Sequence, residues 1–214
     1  MKRLFIDLFC GSSSFKAEAE SHGFEYFGVD WEKYEHVSLQ KDIGELKLTD
    51  LPPFSQYDKI HIHASPDCKT YTIAAISHHR DGVKPKSEYA IKCDKVNSYI
   101  FADFFRVVNS LYGNKTSWSV ENPRGMLRKM SFMSFLKMDT VWYCQYGDDR
   151  AKPTDIWTFN LNWTPKPCCH NGNKNCHHQS APRGSKTGTQ GRKGSYERSK
   201  IPNELCKEIV LSIG

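Results

Sequence analysis

RLFIDLFCGSSSFKAEAESH, residues 3–22, reads as three pieces in succession. Arg3 to Asp7 alternates into an apolar strand, and Cys10 to Ser14 is a turn of small residues. Phe15 to His22, with Ala17, Glu18 and Ala19, has the propensity of a helix. A strand, a tight turn and a helix in that order can present free backbone N–H groups to an anion. The same order describes an ordinary connection in an α/β sheet. Gly11 also stands alone where dinucleotide-binding turns carry a series of glycines. The unit predicts an α/β fold and leaves the use of its turn open.

The next strand, Tyr26 to Val29, runs into Asp30-Trp31-Glu32. A carboxylate at a second strand tip, about 20 residues after the first glycine, is where nucleotide-binding folds hold a ribose. Trp31 beside it either stacks on an adenine or anchors the core or surface. Asp42-Ile43 reads as the close of a third strand. No G-x-x-x-x-G-K pattern follows, so the expected cofactor bears an adenosine and is not a nucleoside triphosphate.

A further strand, Lys59 to His63, leads into Ala64-Ser65-Pro66-Asp67-Cys68-Lys69-Thr70-Tyr71-Thr72. Ligands of open α/β sheets bind outside the carboxyl ends of the strands. A thiol there is either a nucleophile, if something lowers its pKa or takes its proton, or a structural cysteine in a turn. Ile73 to Lys95 is polar and carries His78, His79, Arg80, Lys84, Lys86, Lys92 and Lys95. It reads as a long loop, either a phosphate-backbone contact through residues such as Arg80 and Lys84 or a solvated excursion. Val96 to Leu111 reads as a helix burying Ile100, Phe104, Val107, Val108 and Leu111. Three more strands are expected at Thr116 to Val120, Thr140 to Gln145 and Asp155 to Phe159. The first runs into Glu121-Asn122-Pro123-Arg124-Gly125, another carboxylate at a strand tip, where Pro123 stops the strand.

Composition narrows the class. A chain of 214 residues with 38% hydrophobic and 13% aromatic content can bury a single core. No apolar run approaches the roughly 20 residues of a membrane span, and the basic, apolar N-terminus is broken at once by Asp7 and reads as a strand. The eight cysteines are scattered apart from one cluster, which predicts a reduced, cytoplasmic protein. A net charge of +6 allows an anionic partner. Cys168, Cys169, His170, Cys176, His177 and His178 suit a tetrahedral zinc site, with Cys168, Cys176 and His177 as the expected ligands, or else form a polar loop with incidental Cys and His. The run that follows carries Arg183, Lys186, Arg192, Lys193, Arg198 and Lys200 among glycines and serines, and reads as a nucleic-acid-binding arm.

In order, these motifs resemble those of the DNA (cytosine-5) methyltransferases, especially compact phage-type members. DLFCGSSSF resembles the first cofactor motif and VDW the ribose and adenine contact. SPDC resembles the proline–cysteine nucleophile motif, ENPRG the Glu-Asn motif that holds the base, and QYGDDRAKP the glutamine-and-arginine motif. YERSKIPNELCKEI resembles the closing helix beside the first strand. Ser12 to Ser14 in place of glycines, Asp67 before Cys68, and the wide spacing of Gln145 and Arg150 depart from the pattern. The resemblance implies a Rossmann-like S-adenosylmethionine-dependent methyltransferase fold, a mixed, mostly parallel sheet flanked by helices. It implies catalytic roles for Cys68, Glu121 and Arg150, and cofactor contacts at Phe9, Gly11, Ser13, Asp30, Trp31, Asp42, Ile43 and Pro66. The expected units are a catalytic core over 1–160, a Cys/His-containing and basic target-recognition insertion over 161–200, and a closing helix over 201–214. The expected activity is methylation of cytosine in double-stranded DNA by a monomer, with S-adenosylmethionine as donor and zinc in the cluster. RNA cytosine, a modified donor, or an inactive DNA-binding module remain alternatives.

Overall fold

Strict alternation in the first strand decides the layering. Leu4, Ile6 and Leu8 face one core and Phe5 the other, all of them fully buried. In the computed structural model, which describes residues 1–180 and 194–214, the elements follow in chain order: β1 (Arg3–Leu8), α1 (Lys16–Ser21), β2 (Phe24–Asp30), β3 (Leu39–Gln40), β4 (Lys59–Ala64), α2 (Ile76–His79), a small hairpin of β5 (Arg80–Asp81) and β6 (Lys84–Pro85), α3 (Glu88–Ser98), a π-helical turn (Tyr99–Phe104), α4 (Phe105–Tyr112), β7 (Thr116–Pro123), β8 (Lys137–Trp142), β9 (Pro153–Phe159), α5 (Ser195–Ser199) and α6 (Asn203–Leu211). The main sheet has seven strands in the order β3-β2-β1-β4-β7-β9-β8. β1, β2, β3, β4 and β7 are parallel, and β9 runs antiparallel to both β7 and β8. This is a mostly parallel mixed sheet flanked by helices, a Rossmann-like fold.

One face packs on the π turn and α4, through Ile100, Phe101, Phe104, Phe105 and Val108. The other packs on α1 and α6, through Ala19, Leu205, Cys206, Ile209 and Val210. β4 is polar on that second face. His61 and His63 are buried, opposite Ser117 and Ser119 of β7. Ser117, His61, Ser119, His63 and Ser65 form one hydrogen-bonded chain, each link 2.8 or 2.9 Å. Burial lowers both imidazoles, His61 well below its usual value and His63 to about 3, so both are neutral. Serine hydroxyls, which donate and accept at once, are suited to alternate with neutral imidazoles.

Several expectations shift. The third strand is Leu39–Gln40, and Asp42 instead caps the 3-10 turn Ile43–Glu45 by accepting from the Gly44 N–H at 3.0 Å. The polar segment after Ile73 is no long loop: it holds α2, the hairpin and α3, which Ser87 caps by accepting from the Ala90 N–H. The strand expected at Thr140 ends at Trp142, and Tyr143–Tyr146 form a 3-10 turn. Val107 and Leu111 are exposed, because the π turn adds residues to one helical repeat and rotates Phe101 and Phe105 into the core instead.

Ser119 serves both histidines, so Ser119→Ala strands two buried ring nitrogens. The variant should lose roughly 1–3 kcal/mol of stability in chemical denaturation. A loss near zero would mean that the chain of hydrogen bonds carries no net stabilisation.

Candidate active site

Parallel register brings the chemistry to one edge. Leu8 pairs with Val29 and Ala64, and Ala64 with Val120, so β1, β2, β4 and β7 all end on the same side of the sheet. The turn after β1, Asp30-Trp31, the Ser65–Cys68 loop and Glu121-Asn122 therefore lie along one rim. β8 ends at that rim and β9 starts there, since Trp142 pairs with Pro153 and Thr154 with Pro123. Tyr143 and Lys152 thus arrive at the edge from antiparallel strands.

Asn122 holds the Cys68 loop in place, its Nδ2 donating to the Pro66 carbonyl at 2.8 Å. Cys68 opens a turn, and its carbonyl accepts from the Tyr71 and Thr72 N–H groups at 3.0 and 2.9 Å. Asp67 is engaged by the Lys69 N–H and the Tyr89 hydroxyl. Glu121 is buried and accepts from the Tyr143 hydroxyl at 2.6 Å, while Lys152 Nζ lies 3.7 Å from the same carboxylate oxygen. Burial, then the Glu121 charge, raises Tyr143 well above its usual range, so it stays a phenol that donates. The Cys68 thiol is pushed up to about 11, first by burial and then by Asp67 and Glu121, against the pull of the Lys152 ammonium. The resting thiol is therefore protonated at neutral pH, with one cation poised to favour the thiolate.

Arg150 does not join this group. Its guanidinium is buried against Asp148, with Nε 2.8 Å from Oδ1, and donates to the carbonyls of Arg198 and Lys200 at 3.3 and 3.2 Å. It clamps the segment leading to α6. Lys152, two positions on, takes the place expected for it beside Glu121. The sequence signal was present, a second cation in the same motif, but only burial and pairing tell the two apart. Arg80 is likewise buried: it donates to the Thr70 carbonyl at 2.7 Å and to Asp94 at 2.9 Å, with its guanidinium 4.3 Å from the Tyr71 ring centroid. It braces the Cys68 loop against α3 and is not free for a phosphate. Lys84 is exposed on the hairpin. Arg183, Lys186, Arg192 and Lys193 lie outside the described residues.

The turn after β1 is strained. Phe9, Gly11 and Ser13 have φ of 59°, 39° and 48°, a conformation costly for a phenylalanine. Asp30, 6% exposed, accepts from the Gly11 N–H on one oxygen and the Glu32 N–H on the other, each at 2.9 Å. Each oxygen keeps a lone pair for a further donor. Trp31 is 66% exposed, its ring free to stack, and Ile43 is buried. Asp42 also meets Lys92 Nζ at 3.0 Å. A tight backbone turn, a carboxylate fixed at the second strand tip and an uncovered indole fit the methionine, ribose and adenine parts of S-adenosylmethionine.

Of the expected zinc ligands, Cys176 alone joins a cluster. Cys168 is exposed and its thiol faces the Thr140 carbonyl at 3.5 Å, while His177 Nε2 is 3.0 Å from the Asp148 carbonyl. Their neighbours Cys169 and His178 take their places, together with Cys144 from the turn after β8.

No protein-family model matches the chain, and no curated protein sequence does either. Among solved structures it is similar to the methyltransferase EhMeth of Entamoeba histolytica, with a TM-score of 0.54 at 11% identity over 85% of this chain and 58% of that one. Two further structures are less alike. A protein assigned as a DNA modification methyltransferase, encoded within an E. coli prophage, has a TM-score of 0.49 at 16% identity over 80% of this chain and 53% of its own. The S. pombe Dnmt2 methyltransferase has 0.47 at 14% identity over 78% and 52%. The chain thus spans between half and three fifths of the length of the structures it resembles. The first likeness establishes the fold.

If Lys152 is the cation acting on Cys68, alkylation of Cys68 by iodoacetamide should speed up with pH through about 11. Lys152→Met should slow it at every lower pH. Equal rates in the two proteins, read by peptide mass spectrometry, would remove Lys152 from that role.

Proposed function

We propose that the chain transfers a methyl group from S-adenosylmethionine to carbon-5 of cytosine in double-stranded DNA, with Cys68 as nucleophile. The observation that carries this reading is the convergence of a thiol, a carboxylate and an ammonium from three chain segments on one rim: Asn122 ties the Cys68 loop to the Glu121 strand, and Lys152 sits 3.7 Å from Glu121. That rim also carries the strained turn and Asp30.

Carbon-5 of cytosine is a weak nucleophile. Addition of the Cys68 sulfur to carbon-6 places electron density on carbon-5, splitting one hard step into easier ones. S-adenosylmethionine, when bound, supplies an electrophilic methyl. Glu121 holds a proton against N3 of the pyrimidine, where charge gathers as sulfur adds, and accepts from the exocyclic amine, while Tyr143 holds it in place. Lys152 favours the thiolate before addition and offsets negative charge on the ring after it. Water then takes the proton at carbon-5 as the carbon-6–sulfur bond breaks, so that the ring regains its double bond and Cys68 leaves as the thiolate. The target atom is inside the duplex, so the nucleotide is flipped into the pocket. Lys84 and the basic run containing Arg183, Lys186, Arg192 and Lys193 hold the backbone without reading sequence.

Nucleoside mass spectrometry of DNA from cells expressing the protein should show cytosine heavier by one methyl group, and Cys68→Ser should abolish it while retaining DNA binding. A larger added mass would identify a modified donor, and modified RNA with unmodified DNA would replace the substrate. A 5-fluorocytosine adduct mapped to Cys93 or Cys144 would overturn the assignment of Cys68.

Trp31→Ala should weaken S-adenosylmethionine binding about tenfold in calorimetry, the loss of one stacked ring, and leave the fold intact because the side chain is exposed. Unchanged affinity would place the adenine elsewhere.

A further inference from the structure

Cys144, Cys169, Cys176 and His178 offer four ligand atoms that all lie within 4.8 Å of one another. We propose that these four residues form a closed structural zinc site that fastens the 161–180 segment to the wall of the active site.

The donor set and its setting carry the inference. Three thiols and an imidazole are the ligands of a tetrahedral Cys3His site, and four protein ligands leave no open position for catalysis. None of the three cysteines is in a disulfide. Cys144, Cys169 and His178 are buried, yet among the described residues the apolar cluster around the two cysteines adds just Ala151, with Trp142 and Cys176 against it. His178 Nδ1 faces Cys169 Sγ at 3.9 Å, and its Nε2 is buried with no hydrogen-bond partner among the described residues. A buried imidazole so poorly satisfied is costly unless a metal takes one of its nitrogens. Amide donors surround the sulfurs: Asn173 Nδ2 is 3.4 Å from Cys169 Sγ, and Gln145 Nε2 is 3.7 Å from Cys176 Sγ and 3.9 Å from Cys144 Sγ. Such N–H groups suit sulfur that carries negative charge.

The position gives the site its purpose. Cys144 directly follows Tyr143, which donates to Glu121, and Ala151 in the cluster directly precedes Lys152. A metal there anchors the Cys144 end of the turn that carries Tyr143 and Lys152, with Ala151 packed against the site, and ties to it the segment that leads into the basic run. Binding releases thiol protons as zinc takes the thiolates, and zinc supplies order that so small an apolar cluster cannot.

Protein purified without chelator from zinc-supplemented cells should contain about one zinc per chain by elemental analysis. Reduced, metal-free protein titrated with cobalt(II) should show the visible bands of a tetrahedral thiolate complex. Neighbouring substitutions make the ligand set specific: Cys169→Ser should lose most of the metal, while Cys168→Ser and His177→Ala should keep it. Wild-type protein without metal, a disulfide among the three cysteines of freshly purified protein, or equal loss in Cys168→Ser and Cys169→Ser would each overturn the proposal. The wild-type metal content and the cobalt titration decide it even if Cys169→Ser does not fold.

Discussion

Two antiparallel strands at the end of a parallel sheet are the constraint on which the candidate site depends. Five parallel strands give a rim of strand tips, enough for the strained turn, Asp30, the Cys68 loop and Glu121. A sixth parallel strand would add one more carboxyl-terminal tip to this rim, but its first residues would lie at the opposite edge. Because β9 runs against β7, its first residues lie level with the last residues of β7, and Lys152 comes to stand over Glu121. Because β8 runs against β9, its end meets the same place and supplies Tyr143. The acid–cation–phenol group is thus a consequence of strand direction. Asn122 then joins it to the thiol loop through a hydrogen bond to the Pro66 carbonyl.

That geometry sets the reactivity of Cys68. Burial and two carboxylates favour the neutral thiol, and one ammonium favours the anion. The balance lies with the thiol, up to about 11, so the site at rest is poorly reactive. On the proposed reading, a cytosine entering the site would change the terms in the thiolate's favour, because its exocyclic amine donates to Glu121 and offsets the charge felt by the sulfur. Activation that waits for the substrate protects a lone thiol from oxidation and alkylation between turnovers.

Much of this was legible before the fold was known, for a physical reason. Cys68, Glu121 and Asp30 each follow a short apolar strand directly, and a strand followed by a polar tip is a local pattern. What escaped sequence reading depends on pairing over distance. Arg150 and Lys152 are two cations in one motif, and only the Asp148 carboxylate and the carbonyls of Arg198 and Lys200 show that the arginine is already committed. Arg80 reads as a surface cation until Asp94 and Thr70 are found around it. Cys144 falls in what reads as a strand, far along the chain from Cys169, and joins the cluster only because β8 ends beside the segment after Pro167. The choice of Cys169 and His178 over Cys168 and His177 turns on which of two adjacent side chains faces inward, which spacing alone does not specify. The helical face before β7 was misread at Val107 and Leu111 because a π turn breaks the period on which such readings rest.

Pairing over distance also bears on the partner. Three arginines that sequence alone would count toward a basic surface are spent within the fold: Arg80 on Asp94, Arg128 on Asp155 and Arg150 on Asp148. Each pair cancels one positive and one negative charge, so the net +6 of the chain is carried entirely by the remaining groups. Lys152 is the exception among the buried cations, since its neighbour Glu121 is the group proposed to be occupied by a base. Once Glu121 turns to that base, Lys152 becomes a cation facing the interior of the site rather than half of a pair. On the proposed reading the positive charge is therefore divided by depth: surface cations to attract a polyanion over distance, and the Lys152 ammonium at the rim where charge would develop during reaction.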